Sequence, residues 1–197
     1  MDVRLVAWAR AVKARRTHNR RALPVLWLFT DERRLPDPCP SVATLPRGLA
    51  GVVLRHDGDP CRDALGRALA RLCRERRLFL VVAGDVHLAV ALRAGVHLRE
   101  GRWPSHGRTR CRLVTSSAHG PADLRRAKQA GANLAFLSPV FPTSSHPDVG
   151  ALGPVRWSRF ARTTRMPVAA LGGIDGATAR RLPVGLCQGM GAIGSLR

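Results

Sequence analysis

Short apolar runs alternate with helix-like segments along most of the chain. Charged residues, glycine or proline bound each run, as is typical of buried strands. Strands that alternate with helices form parallel sheets with right-handed crossovers. The predicted strands are Val25–Thr30, Gly51–Arg55, Leu78–Ala83, Gly95–Leu98, Arg112–Ser116, Leu134–Ser138, Pro167–Leu171 and Gly189–Ile193.

Five segments between these runs have spacings that suit helices. In Cys61–Arg77, for example, Leu65, Leu69 and Leu72 fall on one apolar stripe. The predicted helices are Asp63–Arg76, Val86–Arg93, Pro121–Ala130, Val155–Arg165 and Ala177–Leu182.

Eight alternating strands fit a closed (β/α)8 barrel better than an open, doubly wound sheet. The predicted barrel is short, because 197 residues is below the ~250 typical of this fold. Two parts of the chain cannot supply the full helix that this fold usually has. Arg33–Arg47 holds four prolines and cannot form a long helix, and only Gly194–Arg197 follows the last strand, so the last helix is absent or minimal.

The N-terminal segment is the candidate to cover the face that this last helix would shield. Its apolar stripe, with arginines opposite, predicts an extra helix that packs on the barrel. The predicted organisation is therefore a basic helix in residues 1–22 and a barrel in residues 23–197; a frayed basic tail is the alternative for the first segment. The stripe consists of Leu5, Val6, Trp8, Ala9 and Val12.

The chain is strongly basic, with a formal net charge of +20. All of its 33 basic residues except Lys13 and Lys128 are arginines, and they spread over the whole chain. Aromatic residues make up 5% and tyrosine is absent, so platforms for base stacking are scarce. This pattern favours a solvated basic surface that attracts phosphorylated small molecules. A nucleic-acid-binding protein is the remote alternative.

The chain contains no apolar run of ~18 residues, so no membrane span is expected. Its start has no secretory cleavage site, although its Arg-rich, acid-poor composition is also that of organelle transit peptides. Five scattered cysteines form no CxxC pair, which predicts reduced, mostly buried thiols in a cytoplasmic protein.

Polar residues gather where the predicted strands end, which is where (β/α)8 barrels build their active sites. The run LAFL leads through Ser138-Pro139 to Thr143–Ser145, and VAAL leads to Gly172-Gly173. Few acids belong to this set, so it suits a phosphate or pyrophosphate ester held by amides, hydroxyls and guanidiniums. The remaining members are Arg55, His97, Arg99, Ser117, His119, His146 and Gly191–Ser195.

Two of these segments, LAFLSPVFPTSSHP and PVAALGGI, resemble the thiamine phosphate synthase/TenI family. That family has Gly/Ser-Pro-x-Phe-Pro-Thr followed by an alanine-rich strand and Gly-Gly. Four shorter segments are similar to its first, second, fourth and fifth strands, so the resemblance covers residues 23–195. These segments are LWLFTD, GVVLR, AGVHL and TSSAH.

The resemblance implies a transferase of thiamine biosynthesis. Such enzymes couple a hydroxymethylpyrimidine pyrophosphate to a thiazole phosphate with loss of pyrophosphate. Arg55 and Ser117 would contact the pyrimidine pyrophosphate. The phosphate-binding residues would be Thr143, Ser144, Ser145, Gly172, Gly173, Ile193 and Gly194. The implied partners are these small phosphorylated substrates and a second copy of the chain in a homodimer.

The resemblance also implies Mg²⁺, but the expected ligands are not matched. The family ends its third strand with Asn-Asp, and here Ala83-Gly84 stands there, with Asp85 nearest. Near the second metal-binding acid the chain has only Glu100, with Arg102 close to the expected place. Asp85 and Glu100 are therefore weak metal candidates.

TenI-type relatives shift the double bonds of a thiazole carboxylate phosphate by proton transfer and need no Mg²⁺. His119 matches their catalytic histidine, so a tautomerase, or a non-catalytic thiazole phosphate binder, is the alternative to the synthase. His97, between apolar neighbours, is expected to be a barrel histidine whose hydrogen bonds are satisfied rather than a catalyst.

Overall fold

Eight parallel strands close into a barrel in the computed structural model, which describes residues 1–15, 23–105, 107–108, 111–143 and 150–197. Neighbouring strands pair in chain order, and β8 closes on β1 with Leu26 opposite Met190. The predicted (β/α)8 fold is confirmed. The strands are β1 Leu26–Phe29, β2 Ala50–Leu54, β3 Phe79–Ala83, β4 Gly95–Leu98, β5 Val114–Ala118, β6 Leu134–Leu137, β7 Val168–Leu171 and β8 Cys187–Ala192.

The helices of the described residues surround the barrel. They are α1 Val3–Ala14, α2 Cys39–Thr44, α3 Arg62–Arg76, α4 Val86–Ala91, α5 Pro121–Gln129 and α6 Gly153–Ala161. The prediction of an α-helix at Ala177–Leu182 is wrong, because only a 3₁₀ turn, Ala179–Arg181, forms there. Pro183 disfavours helical geometry at the residue before it, and Leu182 is extended. The last strand is followed by a second 3₁₀ turn, Gly194–Leu196.

The barrel interior is filled with aromatic rings. The Phe29 and Phe136 rings meet edge to face with centroids 4.8 Å apart, and Trp27 lies edge-on to Phe136 at 5.5 Å. Trp27 needs a glycine on the next strand, because a Cβ at Gly51 would lie 2.6 Å from its ring. A larger apolar cluster fills the space between strands and helices.

Helix α1 buries its predicted stripe, Leu5, Val6, Trp8, Ala9 and Val12, against β8 and the turn Ala179–Arg181. The extra N-terminal helix is therefore confirmed. The division into residues 1–22 and 23–197 stays a prediction, since residues 16–22 lie outside the described ones.

Asp2 fastens the start of α1 to two loops at the carboxyl end of the barrel. Its Oδ1 caps the helix by accepting from the amide of Arg4 at 2.9 Å, and its Oδ2 accepts from the amide of Gly176 at 2.6 Å. The Asp2 amide donates to the carbonyl of Ser195 at 2.9 Å. The Gly176 amide is the main reason that the pKa of Asp2 is lowered.

Replacing Asp2 with alanine is expected to lower the free energy of unfolding by about 1–2 kcal/mol, because a helix cap and the Gly176 bond are both lost. Urea denaturation followed by circular dichroism measures this. Asp2→Asn is the matched control, since asparagine caps helices about as well. Wild-type stability in Asp2→Ala would show that Asp2 does not fasten the helix.

The five cysteines form no disulfide with one another, and only Cys73 and Cys187 are buried. The expectation of mostly buried thiols is wrong: Cys61 lies exposed at the start of α3, and Cys39, the first residue of α2, is half-exposed, as is Cys111 before β5. Their reduced state stays a prediction. Among the described helices, none has the length and apolar character needed to cross a membrane.

Candidate functional site

A cavity of about 1120 Å³ opens at the carboxyl end of the barrel strands. It gathers most of the residues predicted as a site: Arg55, Ser117, His119, Thr143, Gly172, Gly173, Ile193 and Gly194. Ser144 and Ser145, like His146, lie outside the described residues. The weak metal candidates Asp85 and Glu100 are not among the residues that line the cavity.

Basic groups outnumber acidic groups in the described wall of this cavity. The guanidinium-bearing residues are Arg34, Arg55, Arg99, Arg156 and Arg181. Both carboxylates in the wall, Asp57 and Asp175, are engaged by other protein groups. The cavity therefore suits an anionic ligand. Sequence reasoning missed Arg34, Arg156 and Arg181, because nothing in the pattern distinguishes them from the chain's many other arginines.

Arg55 is held rigidly at the end of β2. Its Nε donates to the carbonyl of Thr30 at 2.9 Å, and its Nη2 donates to Asp31 at 2.7 Å. The guanidinium also lies 5.9 Å from the ring centroid of Phe29, within cation–π range. Burial lowers the pKa of Arg55, an effect that Asp31 opposes. The fixed position favours directional contact with an anion at the cavity mouth.

The buried, hydrogen-bonded pair of Thr30 and His56 holds the backbone of Arg55. Sequence reasoning missed this pair. The Thr30 hydroxyl accepts from the amide of Arg55 at 3.0 Å and lies 2.9 Å from Nδ1 of His56. His56 Nε2 lies 3.2 Å from the carbonyl of Pro36, which can only accept, so Nε2 carries the proton and Nδ1 accepts from Thr30. Thr30 lies in the quoted segment LWLFTD, but nothing in the sequence signalled the pairing with His56.

His97 forms part of the cavity floor and is neutral. Its Nδ1 lies 2.8 Å from the hydroxyl of Thr115, and its ring meets Phe29 edge to face at 5.6 Å. Burial, together with the charges of Arg55 and Arg99, lowers the pKa of His97 to about 3. These contacts agree with the expected barrel histidine.

The buried His97 is expected to make the fold less stable as the pH falls below 6.5, the pKa of this side chain in the unfolded protein. Between that value and about 3, the unfolded chain binds a proton at His97 that the folded protein does not. The free energy of unfolding should therefore fall by up to about 1.4 kcal/mol per pH unit from this group. Urea unfolding at pH 7.5 and 5.5 measures it.

The control for this pH effect is His97→Gln, which should lack that part of the pH dependence. The lowered pKa values of Asp2, Asp31 and Asp175 affect the free energy of unfolding mainly below pH 3.8, which is outside the range of pH 5.5 to 7.5. Equal slopes in the two proteins would contradict a neutral, buried His97.

Ser117 and His119 lie two residues apart at the end of β5, and each makes defined hydrogen bonds. The hydroxyl of Ser117 accepts from the amide of Glu100 at 3.0 Å, which leaves its own proton available for donation. His119 Nδ1 lies 3.0 Å from the carbonyl of Ser138, so Nδ1 carries the proton. In neutral His119, Nε2 is then the basic nitrogen, on an exposed side chain that lines the cavity.

The opposite wall is made of backbone from the loops after β6, β7 and β8. Gly172 and Gly173 have φ values of +93° and +63°, and their Cα atoms press against the loop after β6. A Cβ on Gly173 would lie 2.5 Å from the carbonyl oxygen of Pro142, next to Thr143. A Cβ added at Gly194 would lie 3.9 Å from Nη2 of Arg34. Such side-chain-free backbone beside a guanidinium suits a phosphate group.

The carboxylates near this cavity do not form a metal site. Asp85 caps α4 and lies 3.5 Å from Arg62, while Glu100 lies 3.5 Å from Arg102 and 3.7 Å from Arg126. The described residues hold no group of three side chains suited to a metal ion. The side chains of the described residues thus do not fit the Mg²⁺ that the family resemblance implies.

Together, the fold and this cavity define a (β/α)8 barrel with a basic cavity at the carboxyl ends of its strands. Comparison with known proteins places it more closely. The family profile for thiamine monophosphate synthase matches residues 40–193. The chain belongs to this family, as the sequence segments predicted.

Similar proteins carry the same description. Thiamine-phosphate synthase of Roseiflexus sp. strain RS-1 is 35% identical over 169 residues, which are 79% of this chain and 70% of that protein. The thiamine-phosphate synthase of Chlorobium limicola is 31% identical, over 82% of this chain and 80% of its own. The solved thiamine phosphate pyrophosphorylase of Pyrococcus furiosus aligns with a TM-score of 0.71 and 26% identity, covering 86% of this chain and 85% of the other.

Proposed function

We propose that this protein is a thiamine phosphate synthase, which joins a hydroxymethylpyrimidine pyrophosphate to a thiazole phosphate. The observation that carries the proposal is the two-sided cavity. Guanidiniums and hydroxyls after β2, β4 and β5 face glycine-rich backbone after β6, β7 and β8. Two anionic substrates that must meet require such a pair of subsites. The family membership and the names of the relatives support the same reaction.

The thiazole phosphate is assigned to the glycine side. Its phosphate would lie against Gly172, Gly173 and Gly194, with Thr143 and Arg34 beside it. Backbone and a hydroxyl bind a phosphate without a Cβ in the way, and the guanidinium balances its charge. Ile193 lines the same wall and supplies apolar contact for the thiazole ring. Ser144 and Ser145 remain predicted phosphate ligands.

The pyrimidine pyrophosphate is assigned to the arginine side, with Arg55 and Ser117 as its contacts. In the reaction, the bond between the pyrimidine methylene carbon and the pyrophosphate oxygen breaks, and its electron pair leaves with pyrophosphate. The lone pair of the thiazole nitrogen then forms the new carbon–nitrogen bond. Arg55 and the Ser117 hydroxyl would stabilise the charge that develops on the departing oxygen.

In this family Mg²⁺ would neutralise the departing pyrophosphate. Since the side chains here do not fit it, the proposed role of the protein in that step rests on Arg55 and Ser117. The predictions of a homodimer and of a cytoplasmic location stay predictions.

The test is product formation by protein purified from a host that lacks its own synthase. Supplied with both substrates, the protein should release thiamine phosphate and pyrophosphate in equal amounts, measured by chromatography and a phosphate assay. Absence of thiamine phosphate, with and without Mg²⁺, would contradict the proposal.

The geometry of His119 favours a tautomerase as a second candidate. Its proton sits on Nδ1, so Nε2 is a proton acceptor at the cavity, as a base that shifts double bonds requires. In this candidate the thiazole carboxylate phosphate occupies the same glycine wall. Its double-bond shift, followed by ultraviolet absorbance, should be fast with the wild type and about 10²- to 10⁴-fold slower with His119→Asn. No shift with the wild type would exclude this candidate.

A further inference from the structure

Arg99 lies beside the position that a carboxylate after β3 would take. Gly84 follows β3 with φ +69°, and a Cβ there would be in van der Waals contact with Arg99, 3.5 Å from Nε and 3.6 Å from Nη2. An acidic side chain at this position would therefore have the Arg99 guanidinium as an immediate neighbour.

The acid that contacts Arg99, Asp57, is also bound by a second arginine. Asp57 accepts from Nη2 of Arg99 at 2.6 Å, and its other oxygen lies 3.4 Å from Nη2 of Arg62. Arg62 is itself fixed, because it donates to the carbonyls of Arg55 at 2.8 Å and Ala83 at 2.6 Å. A divalent cation at Asp57 would have to displace Arg99 and remain close to Arg62, which like-charge repulsion opposes.

Arg99 can nevertheless reach a ligand. Its side chain is 63% exposed, and it lines both the main cavity and an adjoining recess of about 350 Å³. Arg62 and Arg102 line the same recess, whose described wall contains one carboxylate, Asp57. When Arg99 turns to a ligand, Asp57 can keep Arg62 as its partner.

We propose that Arg99 takes the place of a divalent cation and that the site binds a diphosphate group as a bare anion. A guanidinium offers paired donors that match two phosphate oxygens and carries a permanent charge. Asp57 is then a competitor of the diphosphate for Arg99. This inference rests on the proposed function in its choice of diphosphate, while the binding itself is independent of any reaction.

The experiment is calorimetric titration with inorganic pyrophosphate in EDTA, at about 0.15 M salt to screen distant charges. Wild-type protein should bind under these conditions, and Arg99→Gln should bind roughly ten- to a hundredfold more weakly. Arg71→Gln, which removes the same charge from an exposed position on α3, should bind like the wild type. Asp57→Asn should bind as tightly as the wild type or more tightly.

The opposite results would overturn the proposal. Binding that appears only when Mg²⁺ replaces EDTA, or that Arg99→Gln leaves unchanged, would mean that Arg99 does not substitute for a cation. Weaker, Mg²⁺-dependent binding in Asp57→Asn would identify Asp57 as a metal ligand instead. Failure of the synthase reaction with pyrophosphate still bound in EDTA would overturn only the proposed function.

Discussion

Replacing Gly173 with alanine is expected to weaken thiazole phosphate binding roughly a hundredfold. The new Cβ would lie 2.5 Å from the carbonyl oxygen of Pro142 and 2.7 Å from Cβ of Phe141. These atoms would have to move by about 1 Å to restore normal contact, and Thr143 would move with them. Displacing one wall of a phosphate site by that distance removes the alignment on which its hydrogen bonds depend.

Gly131→Ala is the matched control for this substitution. Gly131 also has a positive φ, +83°, but no atom lies within 4 Å of an added Cβ. Both variants should lose about 1–2 kcal/mol of stability from left-handed strain, whereas only Gly173→Ala should lose binding. Calorimetric titration with thiazole phosphate measures the difference. Equal affinities in the two variants would show that the glycine wall does not bind the phosphate.

Replacing Arg55 with glutamine is expected to lower kcat for thiamine phosphate formation by about 10²- to 10³-fold, as loss of one donor to a developing oxyanion does in other enzymes. The guanidinium is held by Thr30 and Asp31 at the end of β2, so no neighbour can take its place without rearrangement. Thiazole phosphate affinity should stay within about twofold, because that ligand is assigned to the opposite wall.

Arg55→Lys separates charge from geometry in the same assay. Lysine keeps the charge but cannot donate to Thr30 and to an anion in the same fixed fork, so it should recover only a small part of the lost rate. Steady-state kinetics with both substrates measures these values. A kcat for Arg55→Gln within about threefold of the wild type would remove Arg55 from the reaction.

The barrel was predictable because its strands and helices differ in hydrophobic period, which local sequence records. Six strand ends, those of β2, β4, β5, β6, β7 and β8, were predictable for the same reason. Residues that follow an apolar run of a parallel barrel must lie at the carboxyl end, so Arg55, Ser117, Thr143 and Gly172 had to share one cavity.

Other parts of the site depend on contacts between segments distant in the chain. The pairing of Thr30 with His56, and the tie between Asp2 and Gly176, span 26 and 174 residues. The place of Arg99 over Gly84 depends on how the loop after β4 folds back, and Glu100 has φ +51° in that loop. Hydrophobic periodicity carries no information on such contacts. The α-helix predicted at Ala177–Leu182 does not form because Pro183 disfavours helical geometry at Leu182, although the spacing of apolar residues favours a helix.

The most direct test of a phosphate site in this barrel compares thiazole phosphate with the corresponding thiazole alcohol in calorimetric titrations of the wild-type protein. The two ligands differ only in the phosphate, which we place against Gly172, Gly173 and Gly194 beside Arg34. The phosphate ester should bind at least about a hundredfold more tightly, as expected for several charge-assisted hydrogen bonds. Equal affinities, or no binding of the phosphate ester, would contradict a phosphate site in this barrel.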